Sequence, residues 1–140
     1  MRENIDTNKL IEEISDELRK GLAWVPTRPV VAMYGSARLN ENTKAYKIAR
    51  EVAKQLAIQG WTVLTGGGPG IMEAGNRGAY EVGGDSVGLN IELPHEQKSN
   101  GLQTTELFFS HFTSRKAVFV RSTDIFIQSK RKTSSFRWRM

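Results

Sequence analysis

Residues 61–74, Trp-Thr-Val-Leu-Thr-Gly-Gly-Gly-Pro-Gly-Ile-Met-Glu-Ala, constrain this chain more than any other stretch. The run Trp61–Thr65 predicts a short apolar strand. A helical pattern follows from Ile71 to about Val82, and four glycines in the five positions 66–70 join the two. A strand that passes through glycines into a helix brings backbone N–H groups and the positive end of the helix dipole to one point. Glycine also lets the main chain approach a ligand closely. A nucleotide or sugar phosphate is therefore the first ligand class implied. The loop is not the dinucleotide fingerprint, because Gly66, Gly68 and Gly70 are spaced two apart and Ile71 stands where the third glycine would be. A tight turn with no ligand is the competing reading. Four glycines exceed what a turn needs, which favours the ligand.

The rest of the chain places this unit in a larger alternation. Residues 5–22 predict an amphipathic helix with Ile11, Ile14, Leu18 and Leu22 on one stripe. The prolines Pro26 and Pro29 make residues 24–29 a connector. Val30–Tyr34 is a continuous apolar run that suits a strand buried on both faces of a parallel sheet. Asn42-Thr43 opens a second helix with Ile48, Val52 and Leu56 on its stripe and Gly60 just past its end. Val87–Ile91 predicts a third strand, residues 95–106 a polar loop, Phe109 to about Arg121 a helix, and Asp124–Ile127 a fourth strand. Strands alternating with helices argue an α/β fold with a parallel sheet and helices on both of its faces. Ligands bind such sheets at the carboxyl ends of the strands, where Gly35-Ser36-Ala37-Arg38, the glycine loop and the segment from Glu92 all fall.

Composition narrows the partners. A chain of 140 residues, 39 % hydrophobic and 25 % charged, suits one globular domain. There is no apolar run long enough to span a membrane and no secretory h-region, so a cytoplasmic location is expected. The absence of cysteine excludes disulfides and thiolate metal sites. His95 and His111 show no metal-ligand spacing, so neither a metal nor a cofactor is expected. The net charge of +5 lies wholly in the last thirteen residues, at Lys130, Arg131, Lys132, Arg137 and Arg139. The neutral body carries no basic face, which argues against nucleic acid.

Four separated motifs, Tyr34–Arg38, Gly66–Ala74, Gly88–Pro94 and Phe112 with Arg115-Lys116, stand in the order seen in the LOG family, and the chain resembles that family over residues 28–127. The resemblance implies a Rossmann-like nucleotide-binding fold. It implies phosphoribohydrolase activity: water cleaves the N-glycosidic bond of a nucleoside 5′-monophosphate, AMP or a cytokinin riboside monophosphate, to free base and ribose 5-phosphate. Family members usually form homodimers. By resemblance Arg115 is the active-site arginine and Lys116 lines the same pocket. Gly35, Ser36 and Arg38 at the first strand end, Gly66, Gly67, Gly68, Gly70, Met72 and Glu73 on the glycine loop and its helix, and Glu96 are the expected substrate contacts. An arginine offers a planar fork for phosphate or a leaving base that lysine cannot duplicate.

The chain also departs from the family. After Ile127 the family's second glycine motif, with its catalytic glutamate, is expected; residues 128–140 hold no glycine, proline or acid. That segment reads as the product of a shifted reading frame or another disruption of the gene. The expected division is an N-terminal helix and linker over 1–29, a C-terminally incomplete Rossmann-like domain over 30–127, and an aberrant basic tail over 128–140. Without that glutamate, the carboxylate that would stabilise an oxocarbenium-like sugar is missing and turnover is expected to be impaired. The alternative reading is a module that binds a nucleotide or molybdenum cofactor without turnover. A dinucleotide-dependent oxidoreductase is disfavoured by Ile71.

Overall fold

A computed structural model describes residues 6–24, 26–93 and 98–129. In chain order the elements are α1 (Thr7–Ala23), β1 (Val30–Tyr34), α2 (Lys44–Ile58), β2 (Thr62–Thr65), α3 (Ile71–Glu81), β3 (Ser86–Ile91), β4 (Thr105–Phe109), α4 (Phe112–Ser122) and β5 (Ile125–Gln128). The five strands form one sheet in the order β4-β3-β2-β1-β5, and every pair is parallel. This is the Rossmann-like α/β arrangement that the alternation predicts.

The period-2 alternation of β1 builds a core on each face of the sheet. Val31 and Met33 point to one face, where α2 and α3 cover them with Tyr46, Ala49, Ala53, Ile71 and Ala74. Val30 and Ala32 point to the other, against Leu64, Val87, Leu89, Phe109 and the α4 residues Val118 and Phe119, with Leu18 and Trp24 packed beside them.

Local signals set the helix ends. Asp6 caps α1 by accepting from the Lys9 N–H at 3.2 Å, and Thr43 caps α2 by accepting from the Tyr46 N–H at 3.3 Å. Gly60 follows α2 with φ +94°, the left-handed conformation that stops a helix. The buried stripe of α2 is Tyr46, Ala49, Ala53 and Ala57, with Ile48, Val52 and Leu56 only half-buried. Small residues win that stripe because α3 lies close: a Cβ on Gly78 would stand 2.2 Å from the Arg50 carbonyl oxygen.

Two expectations are corrected. The stretch read as a loop running to residue 106 holds β4, and Phe109 is that strand's buried last residue rather than the start of a helix. As an edge strand β4 buries little: Glu106 and Phe108 are exposed and alternate with half-buried Thr105 and Leu107, and its apolar run Leu107–Phe109 is only three residues long. On α1, Ile11 stays exposed, while Gly21 is buried against Val118 and Phe109. Strand β5 runs through Gln128, and Ser129 donates its N–H to the Tyr34 carbonyl at 2.9 Å. The basic tail from residue 130 lies outside the described residues.

Candidate functional site

The chain order runs outward from β1 to β4 on one side and then returns to place β5 on β1's other side. That reversal leaves a crevice at the carboxyl ends of β1 and β5, the position where open α/β sheets hold ligands. A cleft of about 820 Å³ opens there. Tyr34, Gly35, Ser36, Ala37 and Arg38 line it from the end of β1, and Gln128 and Ser129 from the end of β5. Gly66 and Met72 contribute from the glycine loop and α3, Ile91 and Leu93 from the end of β3, and Phe112 and Arg115 from α4.

The cleft is chemically two-sided. Ser36, Arg38, Arg115, Gln128 and Ser129 give it hydroxyls, an amide and two guanidinium groups, all suited to an anion. Ile91, Leu93 and Phe112 give an apolar wall, and Phe112 is 59 % exposed although it is a large hydrophobe. Among the described lining residues there is no Asp or Glu.

Arg115 is the best-anchored of the lining side chains. Its Nε donates to the Leu89 carbonyl at 2.6 Å and its Nη2 to the Gly66 carbonyl at 3.3 Å, so it ties β3 and the residue just past β2 to α4. Its guanidinium lies 5.2 Å over the Phe119 ring. Burial pulls the group below its ordinary value while the nearby Tyr34 hydroxyl works the other way; arginine keeps its proton regardless. Tyr34 stacks on Phe126 with ring centroids 5.8 Å apart, and burial raises its phenol, opposed by Arg115.

The structure brings Gly35, Ser36, Arg38, Gly66, Met72 and Arg115 together at this cleft. Gly67, Gly68 and Gly70 are not among its lining residues. Gly70 has φ +71°, and a Cβ there would stand 2.1 Å from the Ser36 carbonyl oxygen, which accepts from the Ile71 N–H at 3.0 Å. That contact joins the β1 turn to the α3 N-terminus and supplies a packing reason for the glycine that needs no ligand. Glu73 is engaged elsewhere: the Tyr46 hydroxyl donates to it at 2.5 Å and Arg77 lies 3.7 Å away. Burial and the bond to Glu73 push the Tyr46 phenol up to about 12. Lys116 is not at the cleft; it lines a separate hollow with Leu22, Thr113, Ala117, Val120 and Arg121. One helical residue past Arg115 points a side chain about 100° away, which explains why adjacent residues part. Glu96 and His95 lie outside the described residues. Glu92 is exposed, and His111 contacts Glu13 and Glu17. Among the described residues no cluster of acids and histidines could hold a metal, and no helix is long and apolar enough to cross a membrane.

Leu93 falls in the segment from Glu92 that the sequence placed at the strand ends, whereas Tyr34, Ile91, Phe112, Gln128 and Ser129 were given no site role. Phe112 and Tyr34 belong to recognisable motifs, so their motif membership was the available signal. Gln128 and Ser129 carried none, because their place depends on the pairing of β5 with β1.

The pattern of the SLOG cluster4 family matches residues 28–133. Among curated proteins no sequence matches significantly. The structural-genomics target TM1055 is similar at 26 % identity and a TM-score of 0.61, over 72 % of this chain and 60 % of that one. A molybdenum cofactor carrier protein from Chlamydomonas reinhardtii is similar at 25 % identity and a TM-score of 0.59, over 72 % and 62 %. The molybdenum cofactor binding protein of Rippkaea orientalis, at 24 % identity, a TM-score of 0.57, and 72 % and 61 % coverage, shares the fold. The chain thus spans about three fifths of the length of these solved structures.

Proposed function

The chain belongs to the SLOG cluster4 family, a LOG-type group of Rossmann-like proteins, and from that premise we propose that it binds a phosphate monoester carried on a nitrogen heterocycle and does not turn it over. The observation that carries this reading is the two-sidedness of the switch-point cleft. Arg38, Arg115, Ser36 and Ser129 suit the phosphate, and Ile91, Leu93 and Phe112 suit a flat, apolar ring. Glu73, the acid in the first turn of α3, is held by Tyr46 and Arg77 rather than turned into the cleft. Hydrolysis of an N-glycosidic bond needs a carboxylate there to support the developing positive charge.

Two ligand sources share this chemistry. One is a nucleoside monophosphate such as AMP, which the LOG resemblance suggests. The other is the molybdenum cofactor, a phosphorylated pterin, which the carrier proteins of similar structure suggest. Equilibrium dialysis against AMP, with chromatography of the same mixture for free adenine, tests the reading. Retained, intact AMP supports it; release of adenine over many turnovers replaces it with the phosphoribohydrolase reading. A fluorescent pterin recovered from protein purified out of a cofactor-producing host, without AMP retention, assigns the second source.

A further inference from the structure

The glycine loop is braced from behind by side chains that never reach the cleft. Gly67 is the centre of the brace. Its carbonyl accepts from the Asn100 backbone N–H at 2.9 Å and from Gln103 Nε2 at 3.2 Å. The next carbonyl, that of Gly68, accepts from Asn100 Nδ2 at 3.0 Å. The same Nδ2 donates to Asn76 Oδ1 at 2.9 Å, and Asn76, fully buried on α3, also accepts from Thr65 Oγ1 at 2.5 Å. Asn90 at the end of β3 completes the circuit by donating to Gln103 Oε1 at 3.2 Å.

Two glycines make room for these amides. A Cβ on Gly67 would stand 1.9 Å from Asn90 Oδ1, and a Cβ on Gly88 would stand 2.0 Å from Gln103 Oε1. Gly67 also has φ +78°. Its lack of a side chain therefore serves the brace rather than the ligand. The loop keeps its shape through protein groups alone, so its ligand-facing residue Gly66, and through it the Arg115 anchor, are set before anything binds.

We infer that Asn100 and Gln103 are positioning residues for the cleft, fixing the glycine loop in its binding shape without touching the ligand. The inference rests on the ligand reading above only for its binding arm. Removing the Asn100 amide leaves the buried Gly68 carbonyl without its donor, and removing the Gln103 amide leaves the Gly67 carbonyl with the Asn100 N–H alone, so each costs the braced conformation roughly a tenfold population shift.

The test compares Asn100→Ala and Gln103→Met with Val52→Ala, a half-buried apolar α2 position that makes none of the brace's hydrogen bonds. Amide hydrogen exchange over residues 66–72 and AMP affinity are both measured well below each variant's Tm. Gln103 is only half-buried, so its replacement by the similarly shaped methionine preserves the fold if Asn100→Ala does not. The expected result is faster exchange in the loop and about tenfold weaker AMP binding for the brace variants, with neither change in Val52→Ala at comparable loss of Tm. Loop exchange and affinity equal to wild type, whatever happens to Tm, overturn the inference. Wild type that binds no AMP removes the ligand reading instead, and the exchange arm then decides the brace alone: faster loop exchange sustains it and unchanged exchange overturns it.

Discussion

Phe112 is the residue at which the ligand reading is most exposed to test. A phenylalanine that is 59 % exposed at the mouth of a cleft has given up burial that an ordinary core position would provide. If a heterocycle covers it, Phe112→Ala weakens AMP by about tenfold, the scale of one base on an aromatic ring. Ribose 5-phosphate, which has no ring to stack, loses nothing. Calorimetric titration of both ligands against both proteins checks this; equal losses for the two ligands place the heterocycle elsewhere. At this scale the sequence was partly legible. The glycine run announced close backbone approach, but not what approaches. Gly67 yields to Asn90 and Gly70 to the Ser36 carbonyl, contacts between residues that only the sheet brings together. Lys116 shows the reverse case: motif membership paired it with Arg115, and the helical turn separated them.

Among the elements, α1 is the one whose role the sequence hid. It precedes the family match, which begins at residue 28, yet it caps α4. The Glu17 carboxylate accepts from the Ser110 N–H at 2.7 Å, the His111 N–H at 3.2 Å and the Ser114 hydroxyl, with His111 Nδ1 at 3.3 Å. A carboxylate at a helix N-terminus also meets the favourable end of the dipole. Burial alone would raise the Glu17 carboxyl; the bonds from Ser114, Ser110 and His111 overcome it and hold the group below its usual range. A lowered folded-state value means stability that is complete above the unfolded value near 4.3 and is lost as pH falls through the folded one. Glu17→Gln therefore flattens the acid limb of a Tm-against-pH curve, and curves that run parallel from pH 6 down to pH 3 contradict the assignment. The α2–α3 contact carries a second expectation. Gly78→Ala drives a methyl into the Arg50 carbonyl and the Lys54 N–H, so it costs about 1–3 kcal/mol by chemical denaturation, despite alanine's better helix propensity. Helices with caps and apolar stripes were legible. Edge strand β4 was not, because half of it faces outward and each of its residues pairs with a β3 residue eighteen positions away.

At the scale of the whole molecule, the order β4-β3-β2-β1-β5 decides where chemistry can happen. It gathers the ends of β1, β2, β3 and β5, and the first turn of α4, around one crevice. The alternation of strands and helices made the fold class readable from sequence, since each apolar run needs a helix on either side to bury it. The composition of the cleft was readable only in part, because a lining is a product of register and crossover rather than of any local pattern. On the proposed function, this crevice reads a phosphate and a heterocycle together. Isothermal titration of the protein with AMP and, in parallel, with adenosine tests it most directly. AMP is expected to bind saturably and adenosine at least tenfold more weakly, since adenosine offers nothing to Arg38, Arg115 and Ser36. Equal affinities for the two, or no heat with AMP at millimolar concentration, would contradict it.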